Sequence, residues 1–237
     1  MKLRTRVVLQ LAALCLMLGA YGLADDNAYL YIVHSIPGRD IADNLNPGYP
    51  IDVLVNGKDC LVRGLSFGSS SGPFTLAAGT YSLAISEANT LAPCSNAPVI
   101  SSSVTLTPGE NVSAVAALNT SQLTLVTLAD DLFSVVPGNA RFVFAQVADA
   151  PTLVATLTQL YVSSPQTFTL TSAPGTEQWV GVPYGTYLVQ VTEEGSSTVL
   201  TSEQIFLADQ SVTLTYAAGE ALNNTVGLVT RTVRDVF

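Results

Sequence analysis

Charge is scarce in this 237-residue chain, where only 11% of residues are Asp, Glu, Lys or Arg. Surface helices usually carry many Lys and Glu, so a chain poor in them but rich in Val, Thr, Ser, Leu, Ala and Gly suits short strands and turns. Basic residues are the scarcest charges, nine against eighteen acidic ones, and Arg39, Lys58, Arg63, Arg141, Arg231 and Arg234 are scattered. Phosphate backbones need clustered Lys and Arg, so nucleic acid is excluded as a partner. The one histidine, His34, makes no histidine-based metal site alone, and any Ser-His-Asp arrangement would have to use it. No cofactor, metal ligand set or catalytic residue is expected.

Long apolar runs are missing too, except at the start. Residues 1–24 read as a signal peptide: a basic opening (Lys2, Arg4, Arg6), an apolar stretch from Val7 to Leu18, and Gly22-Leu23-Ala24 as a small-residue cleavage site before Asp25. The stretch is broken by Gln10 and falls short of the roughly 20 residues a membrane-spanning helix needs. Cys15 follows Leu14 rather than a small residue, which argues against lipid attachment. The mature chain is therefore expected to lack a transmembrane span and to be secreted, periplasmic or at the cell surface. Losing three basic residues makes it more acidic than the formal charge of -9. Two cysteines remain, Cys60 and Cys94, and in an oxidising compartment such a pair is expected to form a disulfide. The other reading is two buried thiols acting as small apolar residues.

Short alternating stretches recur: Tyr29 to His34, Ile51 to Val55, Tyr81 to Ser86, Val99 to Leu106, Val112 to Leu118 and Leu123 to Leu128. Turn signals stand between them, including Asn56-Gly57, Gly72-Pro73, Ala78-Gly79 and Pro108-Gly109. Strands reversing this often point to an all-β sandwich or barrel. Phrases then repeat in order. Ala28 to Ile32 matches Ala140 to Phe144, Gly79-Thr80-Tyr81 matches Gly185-Thr186-Tyr187, Val104 to Val112 resembles Ile205 to Val212, and Leu128 to Phe133 resembles Thr232 to Phe237. The pattern predicts two tandem immunoglobulin-like β-sandwich domains, residues 27–136 and the diverged 139–237, joined at Pro137-Gly138. So short a joint predicts abutting units, pictured as an elongated pair.

The first unit resembles the DUF4397 family of exported β-sandwich domains of uncharacterised role. The resemblance rests on Tyr29 to Pro37, Ile51 to Gly57, Leu65-Ser66-Phe67-Gly68 and Leu76 to Tyr81, in that order. The second unit keeps the opening strand, Asp149-Ala150-Pro151 and Gly185-Thr186-Tyr187, but has Gln146 near the place of His34. The resemblance implies fold and export, and brings no catalytic residue.

Few motifs suggest chemistry. Gly68-Ser69-Ser70-Ser71-Gly72 matches the nucleophile-elbow pattern, but Pro73 and Phe74-Thr75-Leu76 follow, so it reads as a loop between strands. His34 is expected to bond a turn carbonyl. Asp25-Asp26, Asp130-Asp131 and Glu193-Glu194 are adjacent pairs rather than a calcium loop, and read as solvated turns. Asp130 or Asp131 recurs as Asp235, suggesting a shared structural bond. Trp179 is assigned to core packing. Tyr29, Tyr31, Tyr49, Tyr161 and Tyr184 could form a carbohydrate-stacking platform if exposed together. Asn111, Asn119 and Asn223 head glycosylation triplets that chance alone explains in so Ser- and Thr-rich a chain.

The function expected is a non-enzymatic cell-envelope or extracellular protein giving an assembly or adhesion surface, with other exported proteins or its own copies as partners. The alternative is a soluble module binding a glycan or small ligand. A hydrolase comes third, requiring His34, Ser70 and a carboxylate to converge, or two carboxylates to face each other across a cleft.

Overall fold

The computed structural model describes residues 26–41 and 46–234. The signal segment, Asp25 and Asp235 to Phe237 lie outside them. Eight strands build the first half: β1 Asn27–His34, β2 Ile51–Val55, β3 Asp59–Leu65, β4 Ser70–Ala77, β5 Gly79–Glu87, β6 Ile100–Leu106, β7 Asn111–Asn119 and β8 Gln122–Ala129. The second half repeats them: β9 Asn139–Gln146, β10 Leu153–Gln159, β11 Thr167–Ser172, β12 Glu177–Pro183, β13 Gly185–Glu193, β14 Val199–Leu207, β15 Val212–Ala218 and β16 Gly227–Val233. A single 3-10 turn, Gly38–Asp40, is the only helical element among the described residues.

The strands form four sheets, ordered β4-β1-β7-β8 and β3-β2-β5-β6 in the first half, and β12-β9-β15-β16 and β11-β10-β13-β14 in the second. In each half the opening strand pairs parallel with the seventh (β1 with β7, β9 with β15) and every other pairing is antiparallel. The fold is all-β and built as tandem sandwiches, and the order of sheet neighbours repeats strand for strand.

The repeated phrase has a physical cause. The Tyr81 hydroxyl donates to the Ala77 carbonyl at 2.7 Å, and that of Tyr187 to the Pro183 carbonyl at 2.8 Å, so each tyrosine ties down the corner that opens its strand. Gly79 and Gly185 hold positive φ there, 155° and 150°, which a side chain rarely tolerates. Beyond the corner, Leu83 and Ile85 in β5 and Val189 and Val191 in β13 point into the two cores.

The halves do not lie end to end. The face of β4-β1-β7-β8 turned away from its own core packs on the equivalent face of β12-β9-β15-β16. Val33, Val115, Ala117 and Leu128 meet Val143, Val212, Leu214, Tyr216 and Val229 in a third apolar cluster. The elongated pair is thereby corrected to a stack of four sheets. Middle strands β7 and β15 are buried on both faces, which is why Asn111–Asn119 carries a nearly unbroken run of small apolar residues and Val212–Ala218 is buried at every position. Among the described residues, no helix is long and apolar enough to cross a membrane.

Candidate functional site

The groups singled out for chemistry are engaged in structure. His34 is fully buried at the end of β1; its Nε2 donates to the Tyr49 carbonyl at 2.6 Å and its Nδ1 accepts from the Ile36 amide at 3.4 Å. Burial lowers its pKa from 6.5 to about 4, against the raising effect of the Tyr49 bond, so the ring stays neutral. Ser70 opens β4 opposite Val33, so the elbow-like pattern runs into an edge strand rather than a helix or a simple loop. Both imidazole nitrogens already hold backbone partners, and no Ser-His-carboxylate arrangement forms there. Pro73 is tolerated in β4 because an edge strand leaves one side unpaired.

The acidic pairs diverge. Asp130 turns into the seam between the sandwiches and takes the Ser113 hydroxyl at 2.8 Å and the Arg231 guanidinium, whereas Asp131 pairs with Arg141 at 2.7 Å. The turn assignment is thus corrected for Asp130, which is buried. Glu194 stays exposed at a turn. Asp25 and Asp235 lie outside the described residues.

Trp179 is corrected from core to surface. It sits on edge strand β12, 53% exposed, with the Arg141 guanidinium 4.6 Å above its ring. The five tyrosines do not share a platform: Tyr31 and Tyr49 are buried while Tyr161 and Tyr184 are exposed.

Cys60 and Cys94 form a disulfide, with sulfurs 2.10 Å apart and Cα atoms 5.8 Å apart. Beside it lies a group that sequence reasoning missed. The buried Asp52 carboxylate accepts backbone amides from Gly64 at 2.8 Å, Asn89 at 3.1 Å and Cys94 at 2.8 Å. Asp52 and the disulfide together pin the segment 88–99 across one end of the outer face of β3-β2-β5-β6. A lone carboxylate in the apolar strand Ile51–Val55 was the available signal.

The seam carries the densest polar cluster. Arg231 on β16 reaches Asp130 and Ser113, stands 3.6 Å over the Tyr31 ring, and donates to the Tyr216 hydroxyl at 3.2 Å. Burial pushes Asp130 up to about 6 despite Arg231 and Ser113. It also pushes Glu177 up to about 7, with Asp130 and Asp131 adding to the rise. Among the described residues Asp130 Oδ1, Glu177 Oε2 and Arg231 Nη1 find no hydrogen-bond partner. The cluster locks one sandwich to the other. A second bridge joins Asn223 on the second unit to Asp40 on the first at 3.2 Å.

The outward face of β11-β10-β13-β14 is accessible, as is the part of the first unit's outer face formed by Thr80, Ser82, Ser101, Ser103 and Thr105 on β5 and β6. Opposite the buried Leu153, Ala155 and Leu157, the register sets Thr169, Thr156, Gln190 and Ser202 in one row across the sheet, and Thr167, Thr158, Leu188 and Gln204 in the next. Thr171, Val154 and Thr192 extend the array at one end, and Thr186 and Phe206 at the other. No charged side chain stands in these rows. Phe206 is 60% exposed and Tyr161 82%. The Tyr161 hydroxyl, from the segment after β10, reaches Gln204 on β14 at 3.4 Å, which brings this exposed tyrosine beside the outer rows.

Comparison with known proteins adds a family. No curated protein matches the chain. Among solved structures, the TIE protein of Bacillus anthracis is 12% identical with a TM-score of 0.24, covering 82% of this chain, which spans only 32% of that one. A candidate cell adhesion protein from Bacteroides ovatus is 8% identical with a TM-score of 0.29, covering 90% of this chain and 99% of that one. A candidate adhesin from Bacteroides ovatus is 11% identical with a TM-score of 0.22, covering 89% and 94%. Likenesses this slight carry no argument about function. The model of the family described as a domain of unknown function, DUF4397, matches residues 28–156, past the joint and into β10. With more than half its length matched, the chain belongs to the DUF4397 family.

Proposed function

We propose that this is a non-enzymatic, exported protein of the cell envelope or extracellular medium that supplies an adhesion or assembly surface. The carrying observation is the uncharged outward face of β11-β10-β13-β14, held on a stack of four sheets. In the first unit, Asp52 and the disulfide pin a segment across one end of the corresponding face, where Asp52 occupies the place that Val154 takes in the second unit, and no aromatic ring stands where Phe206 does, its counterpart being Thr105. The second unit's face has no such cover. His34, Asp52, Asp130 and Asp131 are each committed to structural bonds, which favours recognition over catalysis. A disulfide suits an oxidising compartment. Edge strand β6, Ile100–Leu106, carries no charge to block strand addition by a partner. Residues 1–24 act in this proposal as the export signal, and 27–136 and 139–237 as the two units.

Fractionating the source cells and sizing each fraction under mild conditions tests this. Recovery in a large envelope-bound assembly supports the adhesion role. A free monomer confined to the soluble fraction counts against it.

A further inference from the structure

We infer that the outward face of β11-β10-β13-β14 binds an uncharged polysaccharide, with Tyr161 and Phe206 as stacking rings and Gln190, Gln204 and the neighbouring threonines as hydrogen-bonding groups. This rests on the adhesion reading and names its ligand class. Sugar rings present apolar C–H faces and equatorial hydroxyls, and are recognised by exposed aromatic rings beside neutral amides and hydroxyls. Both kinds of group stand together here: Tyr161 and Phe206 flank Gln204, and Leu188 and Thr158 continue its row.

Charge selects the class. The chain carries a formal net charge of -9, yet this face has no cation for an acidic polymer or phosphate and no carboxylate for a basic peptide. Size excludes a second copy of the chain as a stable occupant. Four strands about 4.8 Å apart and about six residues long give a face of roughly 400 Å², half of the about 800 Å² per partner of a standard protein interface. A polymer chain needs only a strip of that face and can engage many copies of the protein at once.

The test is depletion of the purified protein from solution by suspended cellulose, chitin or β-1,3-glucan, with alginate gel as the acidic comparison. The variants are Tyr161→Ala/Phe206→Ala and Thr156→Lys, which sets a cation in the centre of the face. Leu91→Ala, at an exposed apolar residue of the other unit, is the control, and circular dichroism checks folding. The expected result is retention on at least one neutral polymer, weakened by about tenfold or more in the first two variants and unchanged in the control. Retention on none of the neutral polymers, retention on alginate alone, or retention indifferent to both face variants overturns the inference. Isolated envelopes of the source cells are assayed in parallel. Binding to envelopes without binding to neutral polymers overturns the polysaccharide inference and leaves the adhesion role standing, whereas binding to neither overturns both.

Discussion

Replacing Glu177 by Gln keeps the size of the side chain and removes a charge that the seam resists. Burial, with Asp130 and Asp131 adding to it and Arg231 opposing, carries this carboxyl from 4.5 to about 7. The folded protein therefore holds the proton more tightly than the unfolded chain. The stability that protonated Glu177 contributes is full below pH 4.5 and is lost as the pH rises through about 7. At about 1.36 kcal/mol per pH unit the loss would reach about 3 kcal/mol. Because Glu177 is only half-buried, solvent screening reduces that to about 1–2 kcal/mol. Glu177→Gln should thus be more stable than the parent by about 1–2 kcal/mol at pH 8 and within about 0.5 kcal/mol of it at pH 5. Urea unfolding followed by circular dichroism at both pH values measures this. The difference from the parent matters rather than the profile itself, because neutral His34 acts in the opposite sense, its contribution being lost as the pH falls from 6.5 towards 4. A variant no more stable than the parent at pH 8, or stabilised equally at both pH values, refutes the reasoning.

Arg231→Met leaves Asp130 buried without its cation and should cost about 3–5 kcal/mol in urea unfolding; a loss under about 1 kcal/mol would mean that the lock is idle. Asp52→Ala strips three backbone amides of their acceptor and should cost about 3 kcal/mol, with hydrogen exchange rising at Asn89 and Cys94 before the rest of the sheet. Reduction, or Cys60→Ser/Cys94→Ser, opens a loop with a sequence separation of 34, worth about 3–4 kcal/mol in the chain-entropy model, read as a lower urea midpoint. Tyr187→Phe removes the bond to Pro183 and should cost about 1 kcal/mol, more than Tyr81→Phe at its more exposed counterpart.

Local features were legible because local physics sets them. Alternation in Thr80 to Ser86 separates a core face from a wet one, and Gly79-Thr80-Tyr81 and Gly185-Thr186-Tyr187 betray the repeat because each encodes the same tied corner. Strands β3 and β4 are harder to see, since Gly64, Gly72 and Pro73 interrupt their alternation. Partners far apart in sequence left no local mark: Asp130 and Arg231 lie 101 residues apart. Trp179 misled because its neighbours Val180 and Val182 mark a core strand, while it stands on the other, seam-facing side of β12, opposite Val143, at a sheet edge that leaves it exposed. The candidate surface was only half visible, since a threonine-rich strand looks the same whether its outer face is covered or bare.

The stacking of the sandwiches follows from what a single unit would otherwise expose. Val33, Val115, Ala117 and Leu128 stand on the face of β4-β1-β7-β8 turned away from its own core, and a unit alone would offer them to water. The second unit supplies the matching apolar face, and polar groups join the two across the seam, with Arg231 donating to Asp130 and Ser113. Both inner sheets are thereby withdrawn from recognition. The sheet faces left for binding are those of the two outer sheets. Of the two outer sheets, the first has a segment pinned over one end by Asp52 and the disulfide and otherwise offers small side chains such as Thr80, Ser82, Ser103 and Thr105, whereas the second carries Phe206 and Tyr161 outward. The asymmetry between otherwise matching units is the strongest physical reason for placing recognition on the second.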